Sequence, residues 1–375
     1  MKRWIAMLLI AGAAGLAFAQ SPAASSDRYT AALVLDASSG RILFEKNAHT
    51  PLPTASMAKM MTLLIAMEEI KAGSLTLDTM CTVSARASKM GGSQVFLKDG
   101  QQWPVKDMFA ATMVHSANDA ATTLAERIGG SNEAFAEMMN QRGKAMGLEN
   151  STFYDPHGLP ADSVGEENMM TAADLAKVGM EVMKYPLMRQ LAMQQQMPFL
   201  NATFTTMYNP NRLLKIYPYA TGIKTGYSGK SGFCVTASAS KNNMDLVAVV
   251  MGAKTARGPD SSFEIAAGLF NDAFNSYRMV EVVKQGASVG QAAVTKGAEK
   301  GVTALAGEPA RVLVRRGEEK SLRSSFNGSV VAPVKKGQQI GTIMVTQGTQ
   351  VVAKVPALAA ADVGPAPWWQ KFWPF

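Results

Sequence analysis

Cysteine is nearly absent from this 375-residue chain, which holds only Cys81 and Cys234, and histidine is scarcely commoner, with His49, His115 and His157. Two thiols cannot build a disulfide framework. The three histidines have none of the spacings of metal ligands, which argues against a zinc enzyme. No metal and no cofactor are expected. Charge is sparse as well, at 18% Asp, Glu, Lys and Arg against roughly 25% in ordinary domains. No five or six like charges stand in a row, so the net charge of +8 is a dispersed field and not a basic arm. Nor does an aromatic-basic stripe accompany it, and a nucleic-acid partner is therefore not expected. No apolar run reaches the ~20 residues that a membrane span needs.

What is present is an ordinary globular composition, 47% hydrophobic with a mean hydropathy of +0.01, which excludes intrinsic disorder and collagen-like or coiled-coil architecture. The length suits two domains. At the N-terminus Lys2 and Arg3 precede an apolar stretch, Ile5 to Leu16, that ends in Ala17-Phe18-Ala19 before Gln20. A cationic start, a short apolar centre and an A-x-A site are the parts of a secretory signal peptide. Residues 1–19 are therefore expected to be removed and the mature protein exported. Removing Lys2 and Arg3, with no Asp or Glu in that segment, takes the net charge from +8 to +6. Such a field favours anionic surfaces. Export permits a disulfide, but Cys234 lies in an apolar strand-like run, where a buried free thiol is expected.

Two apolar runs, Ala31–Leu35 and Arg41–Phe44, flank a Ser-Ser-Gly turn and predict a β-hairpin. Stretches of helical period follow at 56–72, 104–114, 119–128 and 132–146, two of them stopped by Gly129-Gly130 and Gly147. Strand patterns return in Phe233–Ser240 and Asp245–Met251, joined by Lys241-Asn242-Asn243, before a helical run at 261–277. Strands at both ends of a helical middle predict an α+β domain over 28–278. Short β-rich runs between Gly-bearing turns predict a small all-β domain over 279–358. Residues 359–367, rich in Ala, Gly and Pro, read as a linker. In the tail, 368–375, Trp368, Trp369 and Trp373 gather with Lys371, Phe372 and Phe375. Aromatic rings with a cation suit the headgroup layer of a bilayer, so a peripheral membrane-anchor tail is expected, docking on the protein's own surface being the alternative.

Three short motifs carry chemistry. Ser56 and Lys59 are i and i+3 at a helix start and share one face. A serine hydroxyl needs a base to become a nucleophile, and a lysine serves once burial or nearby cations lower its pKa. The second motif is Ser116-Ala117-Asn118, at a junction between helical runs, where Ser116 could relay a proton and Asn118 hold an amide. In the third, Lys224-Thr225-Gly226, alternation puts Lys224 and Gly226 on one face of a strand. A cation beside a bare backbone edge is suited to a carboxylate. Alone, each has a plainer reading: a surface helix start, a helix cap, a solvated edge lysine.

Together, once each and in this order behind a signal peptide, S-x-x-K, S-x-N and K-T-G are the signature of penicillin-binding proteins and class A β-lactamases. From about Tyr29 to the C-terminus the chain resembles the low-molecular-weight penicillin-binding proteins that are serine-type D-alanyl-D-alanine carboxypeptidases. Asn118-Asp119, Asp155-Pro156-His157-Gly158-Leu159, Gly232–Ser240, the β-rich second domain and the anchor-like tail share the resemblance. It implies a fold of a helical cluster on an antiparallel sheet, followed by an all-β domain. It also implies that Ser56 attacks the penultimate D-Ala of a peptidoglycan stem pentapeptide with Lys59 as base and Ser116 protonating the leaving D-Ala. Asn118 would bind the substrate amide, Lys224 and Thr225 the terminal carboxylate, and the N–H groups of Ser56 and Tyr227, beside Gly226, the oxyanion. β-Lactams would acylate the same serine, at the outer face of the cytoplasmic membrane.

The pattern departs from its relatives after Met251, where Pro259 stands at a position that in them carries an arginine, so Arg257 or Lys254 would have to serve. Glu166-Glu167-Asn168 imitates the deacylating loop of a class A β-lactamase but reads better as the approach to a capping box at Thr171-Ala172-Ala173-Asp174. Gly229-Lys230-Ser231 imitates the end of a P-loop, whose first glycine would fall on Lys224. The alternatives are a class A-like β-lactamase and a non-catalytic cell-wall scaffold that keeps the fold. The 25 methionines are expected as adaptable core filler.

Overall fold

The computed structural model describes residues 27–160, 167–201, 205–254 and 260–368. The expected signal peptide, Glu166, Arg257, Pro259 and the tail beyond Trp368 lie outside them. The first part is built on a five-stranded antiparallel sheet of β1 (Ala31–Asp36), β2 (Ile42–Lys46), β3 (Ala220–Ser228), β4 (Gly232–Lys241) and β5 (Met244–Ala253), in the order β2-β1-β5-β4-β3. The run Ala31–Leu35 shows no alternation because β1 is buried on both faces. Leu33 and Leu35 join Val247 and Val249 beneath the helical cluster. Ala32 and Val34 face the other way with Ala248 and Val250, under Phe263, Phe270 and Phe274 of the last helix.

The helical cluster holds α1 (Lys59–Ala72), α2 (Val105–Ala110), α3 (Asn118–Gly129), α4 (Asn132–Ala145) and α5 (Ala172–Met183), and α6 (Asp260–Ser276) covers the opposite face. Thr171 caps α5 by accepting from Asp174 N at 3.0 Å, one half of the expected capping box, while the Asp174 carboxylate accepts from Ser151 Oγ at 2.9 Å instead. Methionines 57, 60, 61, 108, 113 and 139 fill the core. Two details differ from the helical pattern. Ser56 lies in a 3₁₀ turn, Ala55–Ala58, ahead of α1, and the run expected at 104–114 becomes a π-helical segment at Ala111–His115. Both irregular turns bring a motif serine to the site, where such turns often occur. Cys234 is buried as expected, and so is Cys81; both are free, and burial pushes each thiol up to about 11.

The second part is all β, with a two-stranded sheet of β6 (Tyr277–Val283) and β9 (Ala310–Arg315) and a six-stranded, nearly closed sheet. That sheet contains β7 (Ser288–Thr295), β8 (Gly301–Ala306), β10 (Leu322–Asn327), β11 (Ser329–Val331), β12 (Gln339–Gln347) and β13 (Gln350–Ala359). No residue separates α6 from β6. Across this joint Arg316 N donates to Ser276 O at 2.9 Å. The Arg41 guanidinium donates to Leu313 O at 3.1 Å and lies 5.5 Å from the Tyr277 ring centre. Residues 359–367 are not the expected linker. Val363 is buried and pairs with Val334, and Pro365 pairs with Gly297. A valine at the right register outweighs the Ala-Gly-Pro composition, because it completes the β-domain core.

Candidate active site

Ser56, Lys59, Ser116, Asn118 and Lys224 come from three separate stretches of chain and meet in one polar cluster. Lys59 is fully buried. Its Nζ lies 2.7 Å from Ser56 Oγ, 2.6 Å from Asn118 Oδ1 and 2.7 Å from His157 O. Burial and the nearby Lys224 ammonium hold its pKa well below that of an ordinary lysine, against a weaker opposing pull from Asp155 and Asp119. Lys224, 2% exposed, donates to Ser116 Oγ at 2.7 Å and to Thr225 O at 3.1 Å. Burial alone pushes it down to about 7. The charge on Lys224 thus weighs against a second charge on Lys59 and favours the neutral amine there.

The scaffold around them is local and specific. Ser116 sits at φ +65 where the π-helical segment ends. Asn118 opens α3, donates to Gly91 O at 2.7 Å through its side chain, and to Ser93 O at 2.7 Å through its backbone. The next residue, Asp119, accepts from Val95 N at 3.1 Å and Leu97 N at 3.0 Å, fixing the 91–97 strip over the motif. Burial raises its pKa, and these hydrogen bonds oppose the rise. On the strand side, Lys224, Gly226 and Ser228 are buried while Thr225 is half-buried and Tyr227 exposed, as the alternation requires. A Cβ on Gly226 would stand 2.7 Å from Thr54 O, so only glycine lets β3 lie this close to the turn that carries Ser56. The Tyr227 ring stacks on Phe233 at 4.4 Å. β3 is the outer strand of its sheet, with one backbone edge unpaired there.

The Asp155–Leu159 stretch, to which the sequence assigns no chemical role, meets the site directly. His157 supplies the carbonyl on Lys59. The Asp155 carboxylate accepts from His157 N at 2.7 Å and from Gly158 N, and lies 3.0 Å from His157 Nδ1. Burial works to raise the Asp155 pKa, but these partners win and lower it. Asn168 is the other contributor: its carbonyl accepts from Thr54 N at 2.9 Å, two residues before Ser56. No spacing marks either stretch, because both act largely through backbone atoms. Of the substitutes considered for a second carboxylate-binding cation, Lys254 sits just past the end of β5, its N–H donating to Arg28 O at 2.7 Å. Among the described residues, no group of three or more His, Cys, Asp or Glu is arranged to hold a metal ion.

A serine on a helix-opening turn, a buried lysine against it and a second buried lysine on the edge strand, set on an α+β scaffold, define the serine D,D-peptidase class. The comparisons agree with that arrangement. The D-alanyl-D-alanine carboxypeptidase family profile matches residues 18–255, and that of the penicillin-binding protein 5 C-terminal domain matches residues 277–365. The chain belongs to the D-alanyl-D-alanine carboxypeptidase family. It is 33% identical to the D-alanyl-D-alanine carboxypeptidase DacF of Bacillus subtilis, over 97% of this chain and 95% of that protein. It is 31% identical to DacC of Escherichia coli, over 99% of this chain and 93% of that protein. Among solved structures, PBP3 of Streptococcus pneumoniae superposes with a TM-score of 0.81 at 25% identity, covering 90% of this chain and 99% of that one. Penicillin-binding protein 5 of Haemophilus influenzae gives 0.73 at 26% identity, covering 90% and 98%.

Proposed function

We propose that this protein removes the terminal D-Ala from peptidoglycan stem pentapeptides through an acyl-enzyme on Ser56, and that β-lactams inhibit it by acylating the same residue. The observation that carries the reading is the surroundings of Lys59 Nζ. A neutral amine has two N–H groups and one lone pair. Asn118 Oδ1 and His157 O can only accept, so they take the two N–H groups. The lone pair is left for the Ser56 hydroxyl, 2.7 Å away. A depressed lysine pKa is what makes that lone pair available near neutral pH.

The peptide's C-terminal residues add to the open edge of β3, and the Lys224 ammonium, with one N–H left beyond Ser116 and Thr225 O, receives the terminal carboxylate beside Thr225. Asn118 binds the substrate amide. Ser56 Oγ attacks the carbonyl of the penultimate D-Ala as its proton passes to Lys59. The N–H groups of Ser56 and Tyr227 hold the oxyanion. Ser116 hands its proton to the departing amine and is reprotonated by the one Lys59 took from Ser56, so that Lys59 is neutral again; water then attacks the ester as Lys59 takes its proton, which returns to Ser56 as the acid leaves. A β-lactam opens by the same attack but leaves nothing to diffuse away, so its acyl group stays on the serine. The catalytic unit is residues 28–276, two residues short of the expected 278, since Tyr277 already opens β6 of the second part.

Mixing the mature protein with benzylpenicillin and following its intact mass tests this reading, with Ser56→Ala alongside. A single penicilloyl adduct lasting minutes, absent in Ser56→Ala together with D-Ala release, is the expected result. An adduct lost within seconds with drug turning over would make the enzyme a β-lactamase, and no adduct at all would leave a scaffold. The same spectrum reports the N-terminus, expected at Gln20.

The reading extends to place. An exported enzyme of the cell wall held at the outer face of the cytoplasmic membrane by 368–375 accounts for the aromatic tail, and Trp368 is 73% exposed. No described helix is long and apolar enough to cross a membrane. Co-sedimentation with phospholipid vesicles is expected for the full chain and not for a chain ending at Pro367. Equal sedimentation of the two would remove the tail from the account.

A further inference from the structure

Among the described residues, Glu167 is a carboxylate beside the site that neither takes part in the proposed steps nor, unlike Asp119 and Asp155, holds a backbone turn. Its side chain is 8% exposed, and neither of its oxygens accepts a hydrogen bond. A buried carboxylate without hydrogen bonds is costly and calls for an explanation. The nearest cation is Lys230 Nζ at 3.9 Å, an ion-pair distance outside hydrogen-bonding range. Lys230 itself is 60% exposed and lies in the turn between β3 and β4.

Each partner of this pair is fastened to one of the two oxyanion donors. Glu167 precedes Asn168, whose carbonyl holds Thr54 through N–H at 2.9 Å and through Oγ1 at 3.2 Å, two residues from Ser56. The Asn168 side chain also accepts from Tyr154 N at 2.6 Å, which stiffens that attachment. On the other side, Lys230 sits in a turn locked by two buried serines. Ser231 Oγ accepts from Ser228 N at 2.8 Å, and Ser228 Oγ accepts from Ser231 N at 3.0 Å. A displacement of Lys230 therefore reaches Ser228 and Tyr227 with little lost in bending.

We propose that the Glu167–Lys230 ion pair is a clasp that sets the separation of the Ser56 and Tyr227 N–H groups, which makes Glu167 a positioning residue for oxyanion stabilisation. The proposal rests on the reading of those two N–H groups as the oxyanion donors. The charge pair closes a ring that runs Ser56, Thr54, Asn168, Glu167, Lys230, Ser228, Tyr227. The contact of Gly226 with Thr54 joins the two sides deeper in the fold, and the clasp joins them at the rim. Its effect belongs to the transition state, where a donor a few tenths of an ångström out of place loses part of its value, and not to ground-state binding.

The test measures kcat and KM for D-Ala release from a D-Ala-D-Ala-terminated peptide, the acylation rate with benzylpenicillin, and Tm. Complete loss of an oxyanion donor costs about a hundred- to a thousandfold in kcat, so a displaced one is expected to cost about tenfold in Glu167→Gln, with KM within about twofold. Lys230→Met, at an exposed position, is expected to show the same loss without a change in Tm, and Lys230→Arg to restore the rate. The double variant Glu167→Gln/Lys230→Met should be no slower than either single one, since both break one contact. Unchanged kcat in Lys230→Met, or losses that multiply in the double variant, would overturn the clasp. If Ser56→Ala still forms the penicilloyl adduct, the underlying site reading fails instead, whatever Glu167 does.

Discussion

Replacing Lys59 by methionine is expected to slow acylation by benzylpenicillin roughly a hundred- to ten-thousandfold, the usual worth of a positioned general base. The side chain is of similar length and apolar, so the core it crosses should close around it, but it offers Ser56 no lone pair. Arginine at the same position should be as inactive for a different reason, because a guanidinium does not give up its proton. The wild-type pH profile carries the same information. Lys59 acts only when unprotonated, so kcat/KM should rise with pH through its depressed pKa. Lys224 holds a carboxylate only when protonated, and burial puts it at about 7, so kcat/KM should fall above that. A bell with its falling limb near neutrality is therefore expected for the free enzyme. In kcat the limb should move to higher pH, because a bound carboxylate favours the ammonium. A kcat/KM that climbs steadily to pH 10 would remove Lys224 from carboxylate binding. Acylation within tenfold of wild type in Lys59→Met would remove Lys59 as the base.

The second large effect is expected at Gly158. Its φ is +82, and a Cβ there would stand 2.0 Å from Ala55 O and 2.4 Å from Ala55 C. Backbone atoms cannot swing aside as a side-chain tip can, so Gly158→Ala has to displace the turn that carries Ser56. The left-handed backbone and the overlap together should cost about 3–5 kcal/mol. At a few degrees per kcal/mol for a domain of this size, Tm should drop by roughly 10 °C. Acylation should fall with it, since Ala55 already sits at φ +46 and has little freedom to absorb the shift. Gly147→Ala is the control: its φ is +69 but nothing lies within 4 Å of the added Cβ, so it bears only the conformational part, about 1–2 kcal/mol. Equal effects at the two glycines would show that the contact with Ala55 is unimportant. Thermal unfolding and adduct formation, measured on the same samples, decide it.

How much of this was legible beforehand depends on whether side chains or backbone carry the feature. The three motifs could be read because Ser56, Lys59, Ser116, Asn118 and Lys224 act through their side chains, at fixed offsets on a helix turn, a junction and a strand. Their convergence could not be read from spacing, since it depends on tertiary packing of α1, α3 and β3. The roles of His157 and Asn168 were invisible because a carbonyl belongs to every residue alike. The sequence places Glu167 in a loop ahead of the Thr171 cap, and Thr171 does cap α5. The burial of Glu167 follows from the chain around it and leaves no mark on the local pattern. The linker reading at 359–367 failed for the opposite reason: composition suggested flexibility, and one buried valine at 363 decided otherwise.

The absence of any residue between α6 and β6 has a mechanical consequence. The β-rich part is a bracket and not a tether, because the joint at Ser276 and Tyr277 is braced by Arg316 and Arg41 on its two sides. Torque applied to one part passes to the other with no slack loop to absorb it. Where the β-rich part is held against a surface, this joint sets the height of the cleft above it. Lengthening that joint should then widen the range of strands the cleft can reach without touching the chemistry.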